Sequence, residues 1–281
     1  MRLFALVCLV MAAFAANSLL NRAGVATGQI SPMGFALVRV LAGALTLVIL
    51  TRAPARPWPT RANLLPALAL TAYLVGFSLA YLALDAGVGA LILFAGVQVT
   101  MLAGGVMSGE RLPARRVVGA CVALLGLGVL LLPGAQAAPG PGLGPVVLMG
   151  VAAVGWGIYS LAGRRVQNPV AQSAANFTLA APLVALAAVP FGLGAMSWQG
   201  AGLAVISGAV MSGLGYALWY AVLPALGAGR AAVAQLTVPV IAILGGVLFL
   251  GERLSAMAML ASIIVLAGVA LASLPARSSH K

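Results

Sequence analysis

The chain has 281 residues, of which 63% are hydrophobic and only 6% charged, with 15 Lys+Arg against 3 Asp+Glu and one His. A soluble chain carries about a quarter charged residues, so this one cannot cover a water-facing surface, and a soluble globular protein is excluded. The single histidine (His280, in the tail) and three carboxylates leave no material for most metal or acid–base chemistry. Cys8 and Cys121 each sit in an apolar run, which argues against a disulfide framework or zinc site. The net charge of +12 reads as basic membrane loops rather than as a nucleic-acid footprint.

A membrane helix needs about 20 apolar residues, and ten such runs follow one another: 3–21, 32–51, 62–84, 87–107, 114–132, 144–163, 170–191, 200–223, 230–250 and 256–275. In the first, Arg2 and the Ala13-Phe14-Ala15 triplet imitate a signal peptide, but cleavage would remove one helix of the repeat described below. Asn17 and Asn21 lie one turn apart there. The second run carries Arg39, an intramembrane cation that serves either as an anion clamp or as a helix–helix tie. The third places Tyr73, Phe77 and Tyr81 on one face and ends at Asp85.

The fourth run holds Gln98 and the pair Gly104 and Gly105, and is followed by Gly109-Glu110-Arg111. The sixth holds Trp156 and Tyr159, and the eighth holds Tyr216, Trp219 and Tyr220. The ninth holds Gln235, Pro239, Gly245 and Gly246, and is followed by Gly251-Glu252-Arg253. Buried amides suit either a solute pathway or interhelical hydrogen bonds. The aromatic rings suit a cavity wall for flat or cationic solutes, or plain packing, with Tyr81 and Tyr220 near enough to helix ends to join an interfacial belt. Pro239 removes a backbone donor near Gln235. The glycines allow close packing or sliding as kink or gating positions, and packing alone accounts for them. No carboxylate sits at mid-membrane, so facilitated or gradient-driven movement is expected, with Asp85 as the coupling candidate.

With the N-terminus placed in the cytoplasm, twelve basic residues fall on the cytoplasmic side and only Arg22 and Arg253 on the other. The bias supports ten spans with both termini inside. The chain also repeats itself. Leu102–Leu112 matches Leu244–Leu254 at a shift of 142, so Glu110 falls on Glu252; Gly126 falls on Gly268 and Pro133 on Pro275. Upstream, Tyr73, Phe77 and Tyr81 fall on Ser212, Tyr216 and Tyr220, and Pro32 falls on Pro169. The division is 1–134 for the first five helices, 135–143 for a linker, 144–276 for the second five, and 277–281 for a tail. Five is odd, so the halves oppose each other as an inverted repeat, with a solute site expected between them. Gly109 and Gly251 are expected to end their helices left-handed, and Ser255 to cap the next helix. Glu110 and Glu252 are then structural turn residues near an arginine.

Ten spans, the five-plus-five plan and the Gly-Glu-Arg-Leu turns after the fourth and ninth helices resemble the EamA-type branch of the drug/metabolite transporter superfamily. Arg39, several residues after Pro32, resembles that family's second helix; the second half departs from it with Asn176. The resemblance implies an all-α inner-membrane carrier of small solutes without cofactor or catalytic site, often an exporter of amino acids or other metabolites. An importer, or an exporter of drugs or quaternary amines, is the alternative within transport. A membrane-embedded enzyme lacks a nucleophile–base set, and a non-transporting scaffold has no use for two-sided symmetry. The lipid bilayer and a small-molecule solute are the expected partners, nucleic acid is not, and a homodimer through the outer faces of the fifth and tenth helices is possible.

Overall fold

In lipid every backbone N–H and C=O must find its partner within the protein, so apolar runs of this length fold as helices. The computed structural model describes residues 1–51, 61–109, 113–130, 142–163 and 166–273, and of 130, 227–233 and 273 the backbone alone. Its helices are α1 (Arg2–Ala26), α2 (Pro32–Thr51), α3 (Leu64–Ala80, after a 3-10 turn at Arg61–Asn63), α4 (Ala86–Met107), α5 (Ala114–Leu130), α6 (Leu143–Gly163), α7 (Pro169–Ala188), α8 (Trp198–Val205), α9 (Gly215–Gln235), α10 (Thr237–Leu250) and α11 (Ala256–Ser273). A π-helical segment, Ile206–Leu214, joins α8 to α9, so the eighth run is one interrupted helix. The ninth run is shorter than its composition suggests, because only Thr237–Leu250 follows Leu236 as a separate helix. The chain is an all-helical, multi-pass membrane protein, and among the described residues seven helices are long and apolar enough to span by themselves.

Helix starts follow local chemistry. Ser31 and Asn168 stand before Pro32 and Pro169, and their side-chain oxygens accept the N–H of Gly34 (3.0 Å) and Ala171 (3.1 Å). Proline at the first helical position loses no hydrogen bond, and Ser or Asn before it satisfies an orphan donor. Ser197 and Ser255 accept from Gly200 and Ala258 in the same way. Gly109 and Gly251 are left-handed, with φ of 79° and 66°, as expected for helix ends.

Packing partners recur five helices apart. The pairs α3–α6, α4–α6 and α3–α7 are matched by α1 with α8 and α9, α1 with α10, and α2 with the π segment. The pair α5–α11 is antiparallel. A Cβ on Gly119 would meet the backbone N of Ala272 at 2.4 Å, one on Gly268 that of Ala123 at 2.4 Å, and one on Gly126 that of Val265 at 2.8 Å. The pair α4–α6 is parallel and in step: Gly96 lies on Ala153, Gly157 on Thr100 and Gly104 on Leu161. Gly245 lies on Leu19 in the equivalent place between α10 and α1. The first helix of each half packs across the divide. α1 lies chiefly on α8 to α10, and α6 lies on α3 and α4.

Successive spans alternate in direction, with α8, the π segment and α9 counted as one. We call the face holding the N-terminus proximal and the opposite face distal. The distal connections 27–31 and 189–197 pack together. Ser197 donates its N–H to the Gln29 carbonyl at 2.7 Å, Ser31 donates its hydroxyl to the Leu193 carbonyl, and Ile30 and Met196 form an isolated bridge.

Candidate functional site

Arg39 lies eight residues into α2 and is fully buried. Its Nε donates to Ser212 Oγ at 3.2 Å and its Nη2 to Tyr73 Oη at 2.9 Å, and its guanidinium lies 5.2 Å and 5.1 Å from the ring centres of Tyr73 and Phe77. Tyr73 and Ser212 occupy equivalent positions in the two halves, so Arg39 ties one half to the other. Its Nη1 has no hydrogen-bond partner. Among the described residues Asp85 and Glu252 pair with Arg22 and not with Arg39. A buried cation without a counter-charge is costly, and an orphaned donor on it adds to that cost.

The aromatic side chains form one connected cluster next to Arg39. Trp156 stands at its centre, 5.1 Å from Tyr73, 5.1 Å from Tyr216 and stacked on Tyr159 at 5.4 Å. Phe14 packs edge-on against Tyr216 and Trp219, and Phe177 edge-on against Tyr216. Helices α1, α3, α6, α7 and α9 each contribute a ring, which brings both halves together here. Phe14 and Phe177 carry no sequence signal that separates them from ordinary core residues.

The π segment positions the rest. Residues five apart in an α-helix point about 140° away from each other; an i→i+5 helix brings them onto one side. Gly208 and Gly213 both face α2, where a Cβ would meet the Arg39 carbonyl oxygen at 2.3 Å and Thr46 Cβ at 2.8 Å. Ser207 donates to Asn17 Oδ1 at 2.7 Å, while Ser212 accepts from Arg39. The Ser-Gly pair repeated at a spacing of five was the available sequence signal for this element, and periodicity read at 3.6 misses it.

Towards the proximal face a small cavity is bounded by Pro66, Tyr159, Gly163, Gln172, Asn176 and Tyr220. Asn176, the counterpart of Arg39, accepts from Asn63 Nδ2 at 2.8 Å and Gln172 Nε2 at 3.4 Å, and Tyr159 donates to Ser173 at 2.9 Å. One half therefore holds a guanidinium at this position and the other an uncharged amide cluster. Asn63, Gln172 and Ser173 were not singled out from sequence.

The remaining sequence candidates take the following places. Asn21 donates to Ser78 at 2.9 Å and leaves its Oδ1 unpartnered. Gln98 is half-buried on α4 and Gln235 closes α9. Pro239 is the third residue of α10 and stands three residues after Leu236, where the helix is interrupted between α9 and α10. Gly104, Gly105, Gly245 and Gly246 lie within the helices α4 and α10, while irregular helix falls at 206–214 and at Leu236. Tyr81 is fully buried and donates to the Ala86 carbonyl at 3.2 Å, so it belongs to no interfacial belt. Glu252 reaches across to the start of α4, where both its oxygens accept the Ala86 N–H, at 2.8 and 3.0 Å. Glu110 lies outside the described residues.

Comparison with known proteins agrees with this architecture. A model of the EamA-like transporter family matches residues 143–274. An uncharacterized protein of Pseudomonas aeruginosa, PA1977, is 46% identical over 277 residues, covering 98% of this chain and 95% of the relative. A crystal structure of a protein 22% identical in sequence superposes with a TM-score of 0.69, covering 97% of this chain and 99% of that one, and supports the fold alone.

Proposed function

Because the chain belongs to the EamA-like transporter family, whose members carry small solutes across membranes, we propose that it exports amino acids or related amphiphilic solutes by alternating access. The observation that carries this reading is the unpartnered Nη1 of Arg39 beside the aromatic cluster. A carboxylate delivered there receives a charge-assisted hydrogen bond and supplies the missing counter-charge. The rings of Tyr73, Phe77, Trp156 and Tyr216 then cover the apolar part of the solute, and Trp219 and Asn17 lie at the edge of the same region. A solute with a permanent cation and no carboxylate meets a guanidinium instead.

The repeat supports the alternating cycle. Two similar five-helix units, 1–134 and 144–276, exchange distal and proximal openings at similar energy when their packing partners correspond. The excess of basic residues on the proximal loops supports an inner-membrane location with both termini in the cytoplasm. The test is efflux from proteoliposomes loaded with amino acids and quaternary amines and read by mass spectrometry. Selective efflux of carboxylate solutes, lost in Arg39→Gln, is the expected result. Efflux of quaternary amines that survives Arg39→Gln sinks the site and moves the function to cationic export. Efflux unchanged in Arg39→Gln but lost in Gln98→Ala/Gln235→Ala moves the pathway to those amides.

A further inference from the structure

Three of the chain's few charges meet at the distal face above the aromatic cluster. Arg22 near the end of α1 donates Nη2 to Asp85 Oδ1 at 3.3 Å, and Nη1 to the carbonyls of Tyr81 and Leu82, each at 3.1 Å. Its Nε lies 3.5 Å from Glu252 Oε1. Glu252, in the turn between α10 and α11, accepts the N–H of Ala86 at the start of α4. The side chain of Glu252 is 11% exposed against 38% for Asp85. These contacts join α1, the α3–α4 connection and the α10–α11 turn, which belong to both halves. The ring of Tyr81, in T-shaped contact with Phe77 at 4.7 Å, lies between them and Arg39.

The charges do not balance. One guanidinium faces two carboxylates, so the cluster with both acids ionised carries one uncompensated negative charge in a partly dry place. The titratable and charged groups around Glu252 are Arg22 from α1, Asp85 at the head of α4, the Tyr81 phenol from the end of α3 and Arg253 beside it. The helices α10 and α11 contribute none. We propose that Arg22, Asp85 and Glu252 form a latch that holds the distal face shut when Glu252 takes up one proton. The neutral carboxyl still accepts from Ala86, and Arg22 then has one carboxylate to pair with. The latch rests on the alternating-access reading but not on any choice of solute.

The direction follows from linkage. Burial, with Asp85 adding to it, pushes the Glu252 carboxyl above its usual range, against the pull of the Ala86 N–H and Arg22. Opening returns water to the carboxyl and lets it fall back towards its ordinary value. The proton therefore binds the closed form more tightly; acid favours closure, and closure is lost as pH rises through the raised value. Each unit separating closed from open is worth about tenfold in the open fraction.

The test needs no solute. Cys8 and Cys121 are replaced by serine, and Ser78, buried under the latch on Asn21, becomes the reporter as Ser78→Cys. Labelling by a charged methanethiosulfonate is followed in nanodiscs at several pH values between about pH 5 and about pH 8, each rate divided by that of the protein denatured in SDS. The normalised rate is expected to rise severalfold with pH, to stay low at every pH in Glu252→Gln, and to be high throughout in Arg22→Gln. Glu252→Gln keeps an acceptor for Ala86, so it remains informative if Arg22→Gln fails to fold. A rate independent of pH in the parent, or a pH dependence that persists in Glu252→Gln, overturns the latch. Either can occur with carrier activity intact, which the efflux assay reads separately.

Discussion

The third and eighth runs are equivalents in the repeat, yet they solve the same packing task differently. α3 is a regular helix from Leu64 to Ala80, whereas its counterpart widens into a π-helix over Ile206–Leu214. Where α3 carries Ala69, the eighth run has Gly208, pressed against the Arg39 carbonyl; where α3 carries Tyr73, it has Ser212. The second helices differ in parallel, with Arg39 in one half and Asn176 in the other. Arg39 needs a phenol on one side and a small hydroxyl on the other, and the wide turn supplies the latter without moving α2 away. Symmetry governs which helices touch, and departures from it collect around the one buried cation.

Substitutions separate these two influences. The largest effect is expected for Arg39→Gln, which removes the charge but keeps a donor. Loss of a charged hydrogen bond worth about 1.5–3 kcal/mol should raise the KM for carboxylate solutes roughly ten- to a hundredfold. An unchanged KM would make Arg39 a tie between helices only. Next, Gly208→Ala gives the eighth run the residue of its counterpart. Its Cβ would meet backbone at 2.3 Å, and overpacking of this kind costs about 1–3 kcal/mol, read as a lowered unfolding midpoint in detergent. Tolerance of alanine there would mean the π turn relaxes readily towards the α3 geometry.

The pair Gly119→Ala and Gly268→Ala sharpens the symmetric side of the comparison. Each Cβ would meet a backbone N of the other helix at 2.4 Å, so both should lose about 1–3 kcal/mol, and by similar amounts. Clearly unequal losses would show that the α5–α11 contact is not equivalent from its two sides. The smallest effect belongs to Asn176→Ala, which frees Asn63 and Gln172 from a shared acceptor. About 1 kcal/mol of stability is expected, with carboxylate KM changed far less than by Arg39→Gln.

Much of the architecture was legible in the sequence because lipid leaves few choices. Apolar length set the spans, Gly109 and Gly251 set helix ends, and Ser255 set the start of the helix that follows. The candidate site was legible in part. Tyr73, Trp156, Tyr159 and Tyr216 come together as rings spaced by helical turns suggest, and Arg39 joins them. Its polar partner Ser212 was aligned with Tyr73 but not read as its partner, because a change from α to π alters which residues share a face. The break at Leu236, three residues before Pro239, was not placed for a related reason: composition does not locate a helix start inside an unbroken apolar run. Glu252 sits beside a neighbouring arginine in sequence but pairs across the fold with Arg22, a choice made by the turn at Gly251.

The exchange of α1 and α6 between the halves has a consequence for how the chain is made. α1 is separated from its main neighbours, α8 to α10, by most of the chain and is made well before them. Until they arrive, Asn17 lacks Ser207, and Leu19 lacks the flat surface of Gly245. Translation of nearly the whole chain must therefore precede the settling of its first helix, and a fragment ending after residue 134 would display an unmatched α1.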